Sequence, residues 1–401
     1  MTPLLQGVAT TMGRMNAPRF DVCVSGSGAV ARALALSLSG HGWRVALACG
    51  ASALQQRPDD VRTYALNARA IDLLTRLKIW PQLQAHACPV HEMAIEGDDG
   101  GHLGFSAWQQ KVAELAWIVD AAALERLLGE ALRFAPHVTV VPALPADGTP
   151  TVDASLLAIC EGKHSATRAS LGVSFERHEY GHWGVAARLQ STRPHAGVAR
   201  QWFRSPDVLA LLPFNDPMPG RSYGLVWSVP EVRARELMDL APDDFLQALK
   251  DALSAQAPET LAVVGELTLT SKVASWPLAL AQAEPWCGPG WVLLGDAAHQ
   301  VHPLAGQGLN LGLADVDALT QVLNQARTQE PWRSPGDDKV LRRFVRARWW
   351  PTQSMAHLTD GLLHLFAHEQ GGLRELRNHG MGLLHRFTPL KRWLVGRALD
   401  A

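Results

Sequence analysis

The stretch that decides the fold is Trp291–Gly312, with the sequence WVLLGDAAHQVHPLAGQGLNLG. It begins with a short apolar run, Val292–Leu294, which predicts a buried strand. Asp296 follows at the carboxyl end of that strand, where a carboxylate can accept hydrogen bonds from a polyol chain. The glycines of Gly306–Gly312 then precede a predicted helix, and bare backbone N–H groups at a helix start stabilise negative charge on a ligand.

A second glycine turn lies near the start of the chain. Phe20–Ser25 reads as a short apolar strand that runs into Gly26-Ser-Gly28, and a helical pattern over Arg32–Ser39 and a second strand over Arg44–Cys49 follow. Strand, glycine turn, helix and strand in this order predict one parallel βαβ unit.

The turn Gly26–Gly28 is typical of a site that binds phosphate. The first glycine permits the tight turn, and the second lets the backbone approach a pyrophosphate at the start of the helix. Ala31 stands where a third glycine is usual and is small enough to keep strand and helix close. A carboxylate that holds the ribose is expected about 20 residues further on, and this chain has Cys49 there. A thiol is a poor acceptor, so the sequence predicts a weakened ribose contact.

The remaining pattern predicts helices around a region rich in strands. Val61–Trp80 and Ala121–Phe134 have helical spacing, residues 90–120 alternate, and the chain is helical from about residue 335. Three strand-like runs, Gly184–Leu189, Val208–Pro213 and Tyr223–Val229, are separated by Pro and Gly, which favours an antiparallel sheet.

The predicted fold class is therefore α/β, in an α+β two-domain arrangement. A Rossmann-like nucleotide-binding domain is interrupted by an antiparallel-sheet substrate domain, and helices close the chain. The expected divisions are an N-terminal tail at 1–18, a nucleotide-binding domain at 19–89, 115–175 and 270–335, a sheet-rich domain at 90–114 and 176–269, and a helical region at 336–401.

Composition narrows the function classes. The 401 residues carry a formal net charge of -1, which offers no basic face for nucleic acid, and small-molecule chemistry is favoured. The five cysteines are scattered and form no CxxC pair, as expected of free thiols in a reducing, cytoplasmic compartment. His299 and His302 are spaced as a metal pair could be, but no third ligand accompanies them, so no metal site is predicted.

The stretch GDAAHQVHPLAGQGLNLGLADVDAL, from Gly295 to Leu319, closely resembles the second flavin motif of aromatic hydroxylases with the para-hydroxybenzoate hydroxylase fold. Within them the chain is most similar to the ubiquinone-biosynthesis hydroxylases. Other matches run in order along nearly the whole chain, and they are Asp60–Leu66, Leu77–Trp80, Gln201–Phe203, Leu211–Pro213, Leu225–Trp227, Phe366, Arg374–Asn378 and Pro389–Lys391.

The resemblance also covers a middle motif, an Asp-Gly pair with a downstream Ser and Arg. This chain has Glu161-Gly-Lys-His-Ser165-Ala-Thr-Arg168, so glutamate replaces the aspartate of the family. The resemblance places this turn near the flavin diphosphate and the path of the nicotinamide, and it places Arg62 near the same diphosphate.

What the resemblance implies is an FAD-dependent monooxygenase. NAD(P)H would reduce the FAD, and oxygen would then hydroxylate an electron-rich, phenol-type ring of a polyprenylated, lipid-like quinone precursor. The flavin loop would contain Pro303 and Gly308, and no catalytic side chain is assigned. The expected cofactor-binding residues are Gly26, Gly28, Ala31, Arg62, Glu161, Asp296, Gly306, Gln307, Gly308, Leu309 and Asn310. The run Leu383–Leu399 near the end of the chain is amphipathic and basic, which predicts a solvated helix face first and contact with a membrane surface or a multi-enzyme complex second. The oligomeric state is left open.

Two alternatives remain at this point. One is a scaffold subunit that kept the hydroxylase fold but binds flavin poorly, and it is motivated by Ala31, Cys49 and Glu161. The other is a nicotinamide dehydrogenase that uses only the βαβ unit. The dehydrogenase leaves Gly295–Gly312 unexplained, and the missing ribose carboxylate counts against it too.

Overall fold

The computed structural model describes residues 20–50, 60–97, 102–145, 147–149, 151–204, 206–254, 258–301 and 307–367. The expected tail at 1–18, the loop residues His302, Pro303 and Gly306, the run Leu383–Leu399 and the matches beyond residue 367 lie outside these ranges. The strands are β1 Phe20–Ser25, β2 Val45–Ala48, β3 Thr63–Leu66, β4 Cys88–Val90, β5 Glu92–Glu96, β6 His102–Ser106, β7 Ala116–Asp120, β8 Val138–Val141, β9 Ala154–Ile159, β10 Ser174–Ser191, β11 Val198–Arg204, β12 Asp207–Phe214, β13 Ser222–Pro230, β14 Leu267–Leu269, β15 Ala274–Glu284, β16 Cys287–Gly288, β17 Trp291–Leu293 and β18 His299–Gln300. The helices are α1 Ala29–Gly40, α2 Ala68–Arg76, α3 Trp80–Gln84, α4 Ala107–Gln110, α5 Ala121–Leu132, α6 Ala166–Ser170, α7 Glu231–Asp239, α8 Pro242–Ser254, α9 Pro258–Val264, α10 Gln307–Gln329 and α11 Asp338–Ala367.

The first glycine turn lies in a six-stranded sheet with the order β16-β17-β9-β1-β2-β8. β1 pairs in parallel with β2 on one side and with β9 on the other. The predicted βαβ unit is therefore confirmed, and its strands are largely buried because helices cover the sheet. β17, predicted from Val292–Leu294, pairs in parallel with β9. Both glycine motifs therefore begin at the carboxyl ends of the strands, on the same side of this sheet.

The predicted antiparallel sheet is confirmed from β18 to β11, whereas β11 and β5 pair in parallel. Nine strands form it, in the order β18-β15-β10-β13-β12-β11-β5-β6 with β14 beside β10. Tyr223, Leu225 and Trp227 alternate along β13 and pack against α7 and α8, where Phe245 and Leu249 belong to the same buried cluster. The opposite face of the sheet is turned towards β3, because the space beside Gly224 is filled by Thr63.

The nine-stranded sheet extends further along the chain than the expected boundary at residue 269. β15 pairs along β10 from Ala274 to Glu284, so this segment continues the sheet and does not return to the nucleotide-binding strands. Chain order alone hid this, because β15 leads directly into β16 and β17, which do belong to the six-stranded sheet.

The helix predicted over Val61–Trp80 was wrong in its first part. Thr63–Leu66 forms β3, which pairs antiparallel with β7, and the helix begins only after Asn67. The Asn67 side chain accepts a hydrogen bond from the backbone N–H of Ala70, which is the N-cap arrangement that starts α2. The helix predicted over Ala121–Phe134 is confirmed as α5, where Asp120 is the N-cap.

Helix α10 packs against α1 and α11, and these helices cover the six-stranded sheet. Its buried residues Leu313, Val316 and Leu319 belong to the same core cluster as Val22 and Leu34. Within the described part of the chain, no helix combines the length and the apolarity that crossing a bilayer requires.

His195 gives the sheet domain a predictable response to acid. Its Nδ1 accepts the N–H of Gly197 at 3.1 Å, so Nε2 carries the proton and donates to the carbonyl of Phe214 at 3.2 Å. Burial lowers the pKa of His195 from 6.5, which the hydrogen bond to Phe214 offsets only in part. The unfolded chain therefore binds this proton first as the pH falls below about 6.5, and folding loses about 1.4 kcal/mol for each unit by which the two pKa values differ.

We expect His195→Gln to flatten this dependence, because the amide can accept and donate in the same two directions without titrating. Thermal unfolding of both proteins at pH 7.5, 6.0 and 5.0 measures the effect. Equal losses of melting temperature on acidification would contradict the assignment.

Candidate active site

The turn Gly26–Gly28 is held by the backbone around it. Gly26 has φ +129°, and a Cβ there would lie 2.3 Å from the carbonyl oxygen of Cys160 at the end of β9. Gly28 has no such close neighbour, because no atom of the described residues would lie within 4 Å of a Cβ placed there. The first glycine is therefore required by the protein itself, whereas the second leaves open space at the start of α1.

Substitutions should separate these two roles. Gly26→Ala is expected to destabilise the fold by about 1–3 kcal/mol from backbone strain alone, with the clash against Cys160 added. Gly28→Ala should change stability by less than about 0.5 kcal/mol, since φ is -77° there, yet fill the space beside the helix start. Urea denaturation reports the first effect, and titration with FAD reports the second. Loss of stability in Gly28→Ala with unchanged FAD affinity would reverse the two assignments.

The start of α1 is suited to an anion. Among the described residues, no side chain caps this helix and no acidic residue lies in its first turn, so its leading N–H groups face outward with the positive end of the dipole. Ala31 is fully buried, and its small size is what the packing of α1 requires. Buried Arg32 fixes the turn by donating to the carbonyl of Ser27 at 2.7 Å and to that of Glu125 at 2.5 Å.

Cys49 follows β2, where a ribose carboxylate was expected. The thiol is buried, and its Sγ lies 3.5 Å from the carbonyl oxygen of Gly50. Burial raises the pKa of Cys49, and the nearby positive charge of Arg32 opposes that rise. The position thus holds a neutral group beside a buried cation.

The Glu161 carboxylate is turned towards its own protein. It accepts hydrogen bonds from the hydroxyl of Ser25, from the hydroxyl of Ser165 at 2.6 Å, and from both the N–H and the hydroxyl of Thr167, at 3.1 Å and 2.6 Å. Burial raises the pKa of Glu161, but these hydrogen bonds outweigh it and leave the pKa below its usual value. The carboxylate therefore joins the end of β1 to the start of α6.

Arg168 joins the middle motif to the second flavin motif. Its guanidinium donates to the carbonyl of Ala297 and to the carbonyl of Lys163, each at 3.0 Å, and lies 3.5 Å from the ring centre of Phe175. Burial lowers the pKa of Arg168, which the negative charge of Glu161 opposes. Its donors are used on the protein backbone, so Arg168 positions the turn that carries Asp296.

Asp296 lies in a tight turn, Gly295–Ala297, directly after β17. Its side chain is exposed to solvent, yet enough protein surrounds it for burial to raise its pKa, against the opposing effect of the nearby His299, Lys163 and Arg62. An accessible carboxyl in such surroundings lies in a concave part of the surface. Gly308 borders it, since a Cβ there would lie 3.9 Å from Oδ1 of Asp296. The structure therefore brings these two predicted residues together.

Arg62 lies close enough to Asp296 for its charge to act there, and two of its three nitrogens bind a carboxylate of the protein. Its Nε and Nη2 pair with the carboxylate of Asp60, at 2.9 Å and 2.6 Å. Burial raises the pKa of Asp60, and the pairing with Arg62 brings it below its usual value. Arg62 is partly exposed, so it reaches the surface as half of a preformed ion pair.

The start of α10 is fixed by Asn310. Its side-chain amide donates to the carbonyl of Ala65 at 2.7 Å, and its oxygen accepts the N–H of Asn67 at 3.1 Å. Leu309 is half-buried against the central core, and Gln307 is the first described residue of the helix. Asn310 thus ties the start of α10 to β3.

Asp315 is the one residue of this region whose importance the sequence did not indicate. It is fully buried and accepts three hydrogen bonds, from the N–H of Gly295 at 2.9 Å, from Nε2 of His299 at 2.7 Å and from Nε of Arg348 at 2.7 Å. Burial raises the pKa of Asp315, and its contacts with His299 and Arg348 bring it below its usual value. Helix α10, α11 and the turn before Asp296 meet at this carboxylate.

His299 is accounted for by this contact. Of the residues the structure describes, no three side chains of the metal-binding types are grouped as a metal site requires. With Nε2 committed to Asp315, His299 acts in packing, between Asp315 and the ring of Trp286, whose centre lies 5.1 Å away.

The described residues fit an anionic ligand with a polyol chain. Open space beside Gly28 and the free start of α1 follow β1, and the accessible Asp296 follows β17. These two strands flank β9 in the six-stranded sheet. FAD has this chemistry, with a diphosphate between adenosine and a ribityl chain.

Comparison with known proteins agrees with this geometry. The model of the family described as FAD binding domain matches residues 19–331. The 3-demethoxyubiquinol 3-hydroxylase of Escherichia coli (strain K12) is 30% identical over 398 residues, which cover 94% of this chain and 98% of the relative. The ubiquinone hydroxylase UbiL of Rhodospirillum rubrum is 28% identical and covers 94% of this chain and 89% of its own. A variant of HpxO from Klebsiella pneumoniae, solved with FAD, superposes with a TM-score of 0.71 at 17% identity, over 94% of this chain and 98% of that one.

Proposed function

Because this chain belongs to the FAD-binding domain family, and is a flavin-dependent monooxygenase by its relatives, we propose that it hydroxylates the aromatic ring of a quinone precursor. One observation carries the proposal. Gly28 and the Asp296–Gly308 pair both lie beyond the carboxyl ends of parallel strands, β1 and β17, which flank β9. NAD(P)H is the proposed electron donor.

We assign the cofactor contacts as follows. The backbone of Gly26–Gly28 and the start of α1 bind the diphosphate, with Arg62 contributing positive charge. Asp296 accepts hydrogen bonds from the ribityl chain, and the backbone N–H groups of 307–310 stabilise negative charge on the ring. When bound, FAD supplies the redox chemistry and the activation of oxygen, so a large set of catalytic side chains is not required.

The nine-stranded sheet offers a surface for the substrate. Gly184, Ala186, Ala210 and Gly224 occupy its face on the side of β3, as the register of β10, β12 and β13 requires. These side chains are small, and the partly exposed Trp276 lies over Gly184, with Nε1 3.2 Å from where a Cβ would be. The shallow relief at these positions suits an aromatic ring with a hydrocarbon tail, and Arg188 lies on the same face, opposite Gly224. We propose that the enzyme takes such a substrate at the cytoplasmic face of a membrane, as a peripheral protein.

The scaffold alternative has its own support in the structure. Cys49 gives the ribose no carboxylate, and the Glu161 carboxylate is satisfied by Ser25, Ser165 and Thr167. A subunit that lost flavin would keep the fold through these internal contacts. Flavin content separates the two functions.

The test is purification followed by a visible spectrum. We expect flavin absorbance at close to one FAD per chain, and oxidation of NAD(P)H coupled to hydroxylation of a short-chain prenylated phenol, detected as a mass gain of one oxygen. A colourless protein that takes up no added FAD would contradict the hydroxylase and support the scaffold. Flavin without a hydroxylated product would retain the cofactor site and reject the substrate class.

A further inference from the structure

Arg188 stands where the sheet domain meets the nucleotide-binding strands. It lies on β10 opposite Gly224 of β13, on the sheet face that is turned towards β3. At Gly224 the two parts of the molecule approach closely, because a Cβ there would lie 2.6 Å from Oγ1 of Thr63. Arg188 is thus a sheet residue directed at the strand that follows Arg62.

The guanidinium of Arg188 holds two segments of the nucleotide-binding part. Its Nη2 donates to the carbonyl of Asp60 at 2.9 Å and pairs with Oδ1 of Asp120 at the same distance. The other nitrogen, Nη1, lies 3.6 Å from the carboxylate of Asp216 in the sheet domain, and the group lies 5.2 Å from the ring centre of Phe214. The side chain is only 15% exposed, so these contacts are made largely away from water.

Two partners of Arg188, Asp120 and Asp60, each make a second contact within the protein. Asp120 caps α5 by accepting the N–H of Ala122 at 2.8 Å. Asp60 binds Arg62 through its carboxylate while its carbonyl is bound to Arg188. Fixing the backbone of Asp60 therefore fixes where the Asp60–Arg62 pair stands, and the charge of Arg62 is felt at Asp296.

We infer that Arg188 is a positioning residue through which the substrate-binding sheet holds Arg62 at the cofactor site. This inference rests on the proposed function, since it takes FAD to be the ligand that Arg62 meets. If the inference holds, Arg188 of the sheet domain affects FAD affinity, and it does so only by holding Arg62 in position.

A double-variant experiment tests this route. Apo protein is titrated with FAD, and Arg188→Gln is expected to raise the dissociation constant at least about tenfold, the effect of losing one hydrogen bond to a charged group. Arg62→Ala should raise it by a similar factor. The double variant should bind no more weakly than Arg62→Ala, within about twofold, because both changes remove the same contact. Arg188→Lys should fall between wild type and Arg188→Gln, since one ammonium keeps the charge but not the two-sided geometry.

Arg221→Gln is the matched control. Arg221 is an exposed arginine of the same sheet domain that donates to the carbonyl of Thr192 at 3.2 Å, so its loss should leave FAD affinity unchanged. If the role of Arg188 is purely structural, Arg188→Gln lowers the melting temperature of the apo protein, and its effect on the dissociation constant for FAD multiplies with that of Arg62→Ala. This result would overturn the inference. FAD binding that ignores Arg188→Gln also overturns it and leaves the proposed function intact. Wild-type protein that binds no FAD overturns the proposed function, and the inference with it.

Discussion

Asp296→Ala is expected to yield a folded protein that no longer retains FAD through purification. The carboxylate is accessible to solvent, so its removal takes away hydrogen bonds to the ribityl chain without disturbing the core. Loss of one such hydrogen bond weakens binding about 10- to 150-fold. The flavin absorbance of the purified variant, relative to protein, measures the effect.

Asp317→Ala is the matched control. Asp317 lies on α10, is exposed, and pairs with Arg76 at the surface at 2.5 Å. Asp317→Ala also removes one carboxylate from this part of the protein. Because Asp317 is not assigned to the cofactor, FAD content should stay at the wild-type level. Full retention of FAD by Asp296→Ala would show that the ribityl chain is held elsewhere.

The second large effect is expected at Asp315. Asp315→Ala should lower the free energy of unfolding by about 3–5 kcal/mol, because it leaves Arg348 buried without its carboxylate and frees the N–H of Gly295. Urea denaturation of the apo protein measures the loss. The same Asp317→Ala control should cost no more than about 1 kcal/mol, as an exposed ion pair does. Similar losses in the two variants would show that the buried carboxylate adds nothing beyond its charge.

The nucleotide-binding unit could be read from sequence because local signals and tertiary needs agree there. Phe20–Ser25 carries a buried apolar run from Val22 to Val24, as a strand covered on both faces does, and Gly26 marks its end with a backbone angle that favours glycine. The strand β3 could not be read in this way. Thr63–Leu66 has no alternation, and it is a strand because β7 lies beside it. Only Asn67 signalled that the helix starts later.

The candidate site shows the same division. Asp296 and Gly308 were predicted from one motif, and the structure brings them together. Asp315 and Arg188 were not, because the partners of each are distant in sequence. Asp315 meets Gly295 and Arg348, 20 and 33 positions away, and Arg188 meets Asp60 across 128 positions. No local pattern carries such contacts, so a carboxylate on a helix and an arginine on a strand read as ordinary surface residues.

The strand order of the six-stranded sheet also determines when each of its strands can pair during synthesis of the chain. β1 gains its partner β9 only when residue 154 and those after it have been made, and β17 adds to β9 only after every strand of the nine-stranded sheet except β18 has been made. Until then the edge of β9 is open, and pairing over such separations makes folding slow. A chain truncated before Trp291 should therefore aggregate even though its first βαβ unit is complete.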